Sequence, residues 1–512
     1  MRVPRATSDT VLGTIGALFG LGSLTYPFGR DQGLYYYVAR EWVLRGAIPY
    51  RDVLDHKTPG IYLVHALSVL LFGEQMWGIR LFDLACVVAV GVIAGSLSAS
   101  RGEFVRPGVR GAAVLATSVL YFGYLDFWNT AQSELWYATF GIASVAAATR
   151  IRSDARAALV AGVFGGCAVL MKPPAMCLVL VAFVCLVLRA KPALRAALRF
   201  GAGAATVPVL VLSYFGAKGA LPAMFDIVVG ANSFYVKHER GAPALGGIRD
   251  YHWFYFPLVP ALLLYLVYAV VRARRAGDRD SMARHLLATA VTGAAYAAVV
   301  MQGKYYLLHW SVMIPAFAVI VANAARALAH AIERRGRLWA FAPSFLALLG
   351  ALYALALYPR WQAPRTWWSS TGHAWRWSMG EEPREVFTWH FQSPGAEFWF
   401  WTSERVGTWL RDHTTPEDLV TVRGFQPEIY AVAKRHHGGR FFWTTFLTNP
   451  DRAYHREAWL REDRDALIAR PPKYVVALTH IPQGPDSVEF FEALGYRTAT
   501  VIYEFTIMER TR

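Results

Sequence analysis

The sequence predicts an all-α polytopic membrane bundle of about eleven transmembrane helices, with interfacial helices in the first outer loop and a small C-terminal α/β domain. Three observations lead there. The 512 residues are 55% hydrophobic and only 17% charged, with a mean hydropathy of +0.28, too little charge to cover a soluble surface of this size. Several runs close to bilayer-spanning length carry no charge at all. From about Tyr358 the composition turns to Trp, Glu, Arg and Pro, which divides the chain into a membrane domain, 1–358, and an outer domain, 359–512.

The elements follow in order. Arg2 and Arg5 precede an apolar run from about Val11 to Pro27 with no small-residue cleavage site at its end, so it reads as the first span rather than a cleaved signal. Further apolar runs lie near 60–72, 77–99, 111–125, 133–149, 157–171, 173–188, 200–217, 254–271, 285–301, 305–325 and 338–358. If every run crossed, the basic loops would fall on both sides. Reading the short 60–72 run as a re-entrant or surface-lying helix that does not cross restores order, because Arg101/Arg106/Arg110, Arg150/Arg152/Arg156, Arg189/Lys191, Arg272/Arg274/Arg275 and Arg334/Arg335 then share the cytoplasmic side. The first loop, the 126–132 turn, Lys172, the 218–253 loop, the 302–304 turn and the C-terminal domain all fall outside. In that domain EFWFWTSERVGTWLRDH and PEIYAVAKR read as helices, and DLVTVRG and KYVVALT as strands.

Some function classes drop out. The net charge of +16 sits in short interhelical loops, not on a basic surface helix, which argues against a nucleic-acid partner. Cys86, Cys167, Cys177 and Cys185 lie in apolar runs without Cys-x-x-Cys spacing, so they read as helix-packing residues.

The first loop carries the chemistry. DQGLYYYVAREWVLRGA has an apolar stripe of Leu34, Tyr35, Val38, Ala39 and Trp42, with Arg40, Glu41 and Arg45 off it; it reads as an amphipathic helix at the membrane interface. Asp31 stands at its start, where an Asp serves equally as an N-cap. Asp52 and Asp55 read as turn carboxylates bracing the loop.

Asp31-Gln32-Gly33-Leu34-Tyr35, Gly46-Ala47-Ile48-Pro49-Tyr50-Arg51-Asp52, Lys57-Thr58-Pro59, LFGEQMWGIRLFD (71–83), MKPP (171–174) and GKYYLLHW (303–310) followed by Pro315 together resemble the polytopic C-type glycosyltransferases. Within these the pattern is similar to the bacterial branch of lipid A aminoarabinose transferases and protein O-mannosyltransferase-like enzymes. The resemblance covers roughly the first 330 residues. It implies a multi-pass inner-membrane hexosyl- or pentosyltransferase that uses a polyprenyl-phosphate sugar donor. A lipid, glycan or protein acceptor would receive the sugar at the extracytoplasmic face, with inversion.

Such a transfer needs a base for the acceptor hydroxyl and fixed positive charge at the phosphate. Asp31 matches the family's catalytic carboxylate and Lys57 its phosphate-holding lysine. Lys172 is a second cation for the phosphate, or a lysine snorkelling from a helix end. Glu134 is an acceptor-binding or metal-binding candidate, or a first-turn acid favoured by the helix dipole. His309 is expected at the donor phosphate, or hydrogen-bonded within the bundle. A divalent cation stays open, although neither His56 beside Asp55 nor His436-His437 offers convincing ligand spacing. The rival reading is a flippase for a lipid-linked glycan; it would place polar residues at the bilayer midplane and repeat its halves, and neither feature is present.

Overall fold

A computed structural model describes residues 5–238, 246, 258–335, 362–393, 397–481 and 483–511. Among the described residues, five helices are long and apolar enough to cross a membrane individually: Met76–Leu97, Asp154–Met171, Ala193–Ala217, Arg279–Gln302 and the 307–330 segment. Counting Ser8–Thr25 with Arg30–Arg45 as one span gives six. The chain is a multi-pass membrane protein. The expected span at 338–358, and the domain boundary beside it, lie outside the described residues. The 60–72 run forms the helix Pro59–Phe72, too short to count among those spans.

The chain forms two compact units, each discontinuous in sequence. The first comprises 1–24, 81–210 and 241–372. Its helices approach through small residues, as bilayer helices do when apolar side chains gain nothing over lipid. A Cβ on Gly162 would lie 2.2 Å from the Phe200 carbonyl oxygen, and one on Gly166 2.2 Å from that of Ala204. Glycine is therefore what lets the helices Asp154–Met171 and Ala193–Ala217 touch backbone to backbone.

Arginines on three helices of this unit, Arg150, Arg189 and Arg326, bind loop carbonyls and acids. Arg150 donates to the Ala99 and Glu103 carbonyls at 2.6 and 2.7 Å, Arg326 pairs with Glu103 at 2.6 Å, and Arg189 pairs with Asp154 at 3.0 Å. Alternate helix ends thus carry the clustered arginines, in keeping with the charge pattern of the sequence.

The second unit comprises 25–80, 211–240 and 373–512. Its four-stranded sheet runs in the order Val420–Val422, Tyr474–Leu478, Phe505–Arg510, Tyr496–Ile502, with the first pair parallel and the others antiparallel. The helices expected at 397–413 and 427–435 are present as Phe400–His413 and Glu428–Ala433. The closing hairpin 496–510 and the helix Arg456–Ala469 are additional to the sequence reading. Beneath the sheet, the fully buried Arg423 guanidinium is held between Asp463 and Asp486 at 2.9 and 3.0 Å. Of the Trp-rich segments, Trp367 stacks on Phe19 at 3.8 Å and Trp409 packs against Tyr474, while Trp368 and Trp375 stay exposed.

The first-loop helix forms as Arg30–Arg45, but it is not the surface-lying amphipathic helix expected. All residues from Gln32 to Glu41 are buried, the off-stripe Arg40 and Glu41 included. The helix lies between Pro59–Phe72 and Glu428–Ala433, so it has no water-facing side along this stretch. Arg40 pairs with Glu74 and with Glu41, and Glu41 in turn meets His436 Nδ1 at 2.6 Å. Ion pairs between distant segments replace the solvent that a one-helix reading assumes.

Candidate active site

The N-cap of Arg30–Arg45 is Gly29, whose N–H donates to Gln32 Oε1 at 3.0 Å. Asp31 therefore sits inside the first turn and is not the capping residue. The helix rests on the start of Glu428–Ala433 through Gly33, where a Cβ would meet the Glu428 nitrogen at 2.6 Å.

Tyr35 follows Asp31 by one helical turn, the spacing that puts two side chains on one face about 5–6 Å apart. The Lys57 ammonium lies 5.9 Å from the centre of that ring. Lysine over an aromatic face is a cation–π contact, and it brings the ammonium to the Asp31 side of the helix. The loop that delivers Lys57 is firmly built. Tyr50, in the left-handed region at φ 70°, starts a turn in which Asp52 accepts the Ile48 N–H at 2.8 Å. Asp55 accepts from the His56 N–H at 2.7 Å and from the Tyr62 hydroxyl at 2.7 Å, and lies 2.9 Å from His56 Nδ1. Burial alone would raise the Asp55 pKa, but these donors and the Lys57 charge hold it below the usual carboxylate value. Tyr50 donates its hydroxyl to the Lys57 carbonyl at 2.8 Å, and Asn232 donates to that of His56 at 2.8 Å. Asp52 and Asp55 brace the loop, as expected.

The remaining candidates gather in the first unit. Glu134 lies in the first turn of Ser133–Arg150 and is fully buried. Its carboxylate pairs with Lys172, accepts from Ser133 Oγ at 3.1 Å, and has His309 Nε2 at 3.8 Å. Lys172 stands between the helix Asp154–Met171 and the turn Pro173–Ala175, and also donates to Gln302 Oε1 at 2.7 Å. His309 occupies the short 3-10 turn Leu307–Val312. Three positions taken from separate motifs thus form one cluster.

Asp83 was not singled out by the sequence. Buried to 1% exposure, it accepts from Tyr121 Oη at 3.0 Å, Trp136 Nε1 at 3.1 Å and the Ala131 N–H at 3.1 Å. It holds the 126–132 turn at the entrance to the Glu134 helix, with Asp126 closing that turn through the Trp128 and Asn129 N–H groups at 3.0 Å each. An acid inside an apolar run is the one signal that could have flagged it.

Residues 56–215 match the family model of dolichyl-phosphate-mannose-protein mannosyltransferases. The whole chain is similar in fold to ArnT from Cupriavidus metallidurans bound to undecaprenyl phosphate, with 14% identity, 98% of both chains covered and a TM-score of 0.61. Apo ArnT gives 15% identity, coverage of 98% of this chain and 97% of that one, and a TM-score of 0.58. The archaeal oligosaccharyltransferase AglB from Archaeoglobus fulgidus, in complex with an inhibitory peptide and a dolichol-phosphate, aligns at 13% identity over 92% of this chain and 69% of its own, with a TM-score of 0.46. No curated protein matches by sequence. The fold is similar to that of the C-type membrane glycosyltransferases that the first-loop motifs resemble. More particularly this chain, with its helical membrane part and small C-terminal sheet, is similar in fold to ArnT.

One carboxyl, at the start of the helix against which Gly33 rests, titrates near neutrality. Burial pushes Glu428 up to about 7, against the hydrogen bond from Ser403 Oγ at 2.7 Å and the charge of Arg30. A carboxyl whose folded pKa exceeds its unfolded one costs nothing when protonated in both states, so the stability cost appears as pH rises from about 4.5 to about 7. Glu428→Gln is expected to raise stability by about 3 kcal/mol above pH 7 and by nothing near pH 4. Melting temperature across that range checks this, and an equal shift at both ends would contradict it.

Proposed function

We propose that this protein is a multi-pass inner-membrane glycosyltransferase, moving a hexosyl or pentosyl group from a polyprenyl-phosphate donor to a lipid, glycan or protein acceptor. Transfer takes place at the extracytoplasmic face, where the 359–512 domain also lies. Asp31 takes the proton from the acceptor hydroxyl. The acceptor oxygen then attacks the anomeric carbon from the side opposite the phosphate, the C–O bond to phosphate breaks, and configuration inverts. Polyprenyl phosphate departs as an anion and needs no acid to help it leave, only positive charge to receive it.

Lys57 supplies that charge, with Lys172 and His309 as further phosphate-binding groups and Glu134 on the acceptor side or at a divalent cation. The observation that carries the reading is the placement of the Lys57 ammonium over Tyr35, one helical turn from Asp31, in a chain similar in fold to a protein crystallised with undecaprenyl phosphate.

Mass spectrometry of lipids retained by the detergent-purified protein tests it. Polyprenyl phosphate, or its sugar conjugate, is expected at near-stoichiometric yield. Failure to retain such a lipid, together with no donor cleavage in proteoliposomes, would reject the reading. Lys57→Ala should raise the KM for donor by about 10- to 100-fold with a smaller fall in kcat, the value of one charge-assisted contact of about 1.5–3 kcal/mol. An unchanged donor KM would remove Lys57 from the phosphate.

A further inference from the structure

The helix Gln362–Ser378 ends in a reversal. Gly380 adopts φ 76°, the Glu381 N–H returns to the Arg376 carbonyl at 2.8 Å, and Pro383 then precedes the helix Arg384–Trp389. The stacked rings of Trp377 and Phe387, 4.9 Å apart and 5° from parallel, clamp the two helices together. This hairpin brings His373, Glu382 and His390 to one point, with one potential ligand atom from each within 4.8 Å of the others. The two imidazoles stack at 3.3 Å, and His373 Nδ1 lies 2.7 Å from both oxygens of Glu382, a carboxylate turned inward to 7% side-chain exposure.

The protein's own groups leave this arrangement in conflict. Arg376 Nη2 lies 2.7 Å from the same His373 Nδ1. Towards the guanidinium that nitrogen must offer a lone pair, and towards the carboxylate a proton. One neutral tautomer cannot do both; a cation bridging that lone pair and the carboxylate would take the proton's place and displace the guanidinium, whose Nε now donates to Glu382 Oε2 at 2.9 Å. We infer that His373, Glu382 and His390 form a binding site for a zinc-class transition-metal ion that locks the hairpin.

Two imidazole nitrogens and one carboxylate oxygen suit Zn2+ or its borderline neighbours, while Mg2+ and Ca2+ prefer all-oxygen sites. Three protein ligands leave one tetrahedral position for water. A donor–donor spacing within 4.8 Å is closed to bonding distance by side-chain rotation. Arg376, 45% exposed, would give up its pair with Glu382 to solvent to admit the ion. The inference stands apart from the transfer chemistry, since none of these residues carries a role in it.

Titration of the full-length, EDTA-treated protein in detergent with Zn2+ should show a high-affinity site of one equivalent. His373→Ala and His390→Ala should each weaken it at least tenfold, Arg376→Gln should tighten it or leave it unchanged, and Mg2+ in excess should not displace the metal. Apo melting curves of the variants matching the apo parent confirm that the hairpin survives; should His390→Ala not fold, His390→Gln replaces it. Co2+ in place of Zn2+ should give the visible absorption of a four-coordinate site, lost in the same variants. No saturable zinc binding, or binding unaltered in both histidine variants, would overturn the inference.

Discussion

Asp31→Asn should reduce sugar transfer by about 10^2- to 10^4-fold, the contribution of a positioned general base, while insertion and melting temperature stay as in the parent. The separation is clean because Gly29 caps the helix and Gln32 closes the cap. Asparagine keeps the shape and removes the negative charge, and with it the proton acceptor. Release of polyprenyl phosphate from the donor, with and without acceptor, measures the effect. The variant should still bind donor, because the proposed phosphate contacts lie on Lys57, Lys172 and His309. Parent-level turnover would return Asp31 to a purely structural role.

Lys172→Met should destabilise the protein by about 3–5 kcal/mol, the cost of leaving one member of a buried pair without its counter-charge. Glu134 is wholly buried and pairs directly with Lys172. In the double variant Lys172→Met/Glu134→Gln the stranded charge is gone, so most of the lost stability should return. Thermal unfolding of the four proteins in detergent closes the cycle. If the double variant is as unstable as the single one, the pair is not what holds these helix ends. The phosphate role separates by a second readout, since Lys172→Arg keeps the charge but should still alter donor affinity, a guanidinium being a planar fork where lysine is a point charge.

Much of this was legible before any coordinates. The period of the first-loop pattern gave the helix Arg30–Arg45 to within a residue or two, and the buried strand KYVVALT stood out by its unbroken apolar core. Apolar period and cap chemistry are local properties, which one sequence displays. The partners of Arg40, Glu41 and Arg423 were not legible. Arg40 meets Glu74, 34 residues on, and Glu41 meets His436, 395 residues on, and no local pattern records which distant segment supplies a counter-ion. For the same reason they were placed on a wet face. Glu134, Lys172 and His309 were each visible as a charged or titratable group at a helix end, but their meeting in one cluster was not. The 496–510 hairpin escaped because its outer strand alternates exposed residues, so little of it reads as buried.

The close approach at Gly33 bears on the order in which the protein can be made. The helix bearing Asp31 is among the first segments to leave the ribosome, yet the Pro427–Glu428 backbone that it fits against emerges only when synthesis is more than four-fifths complete. Until then the Arg40–Glu41 pair lacks its outer counterparts. A nascent chain therefore cannot seat the helix Arg30–Arg45 on Glu428–Ala433 until that late-translated stretch has emerged, so an early segment waits on a distant one for its packing.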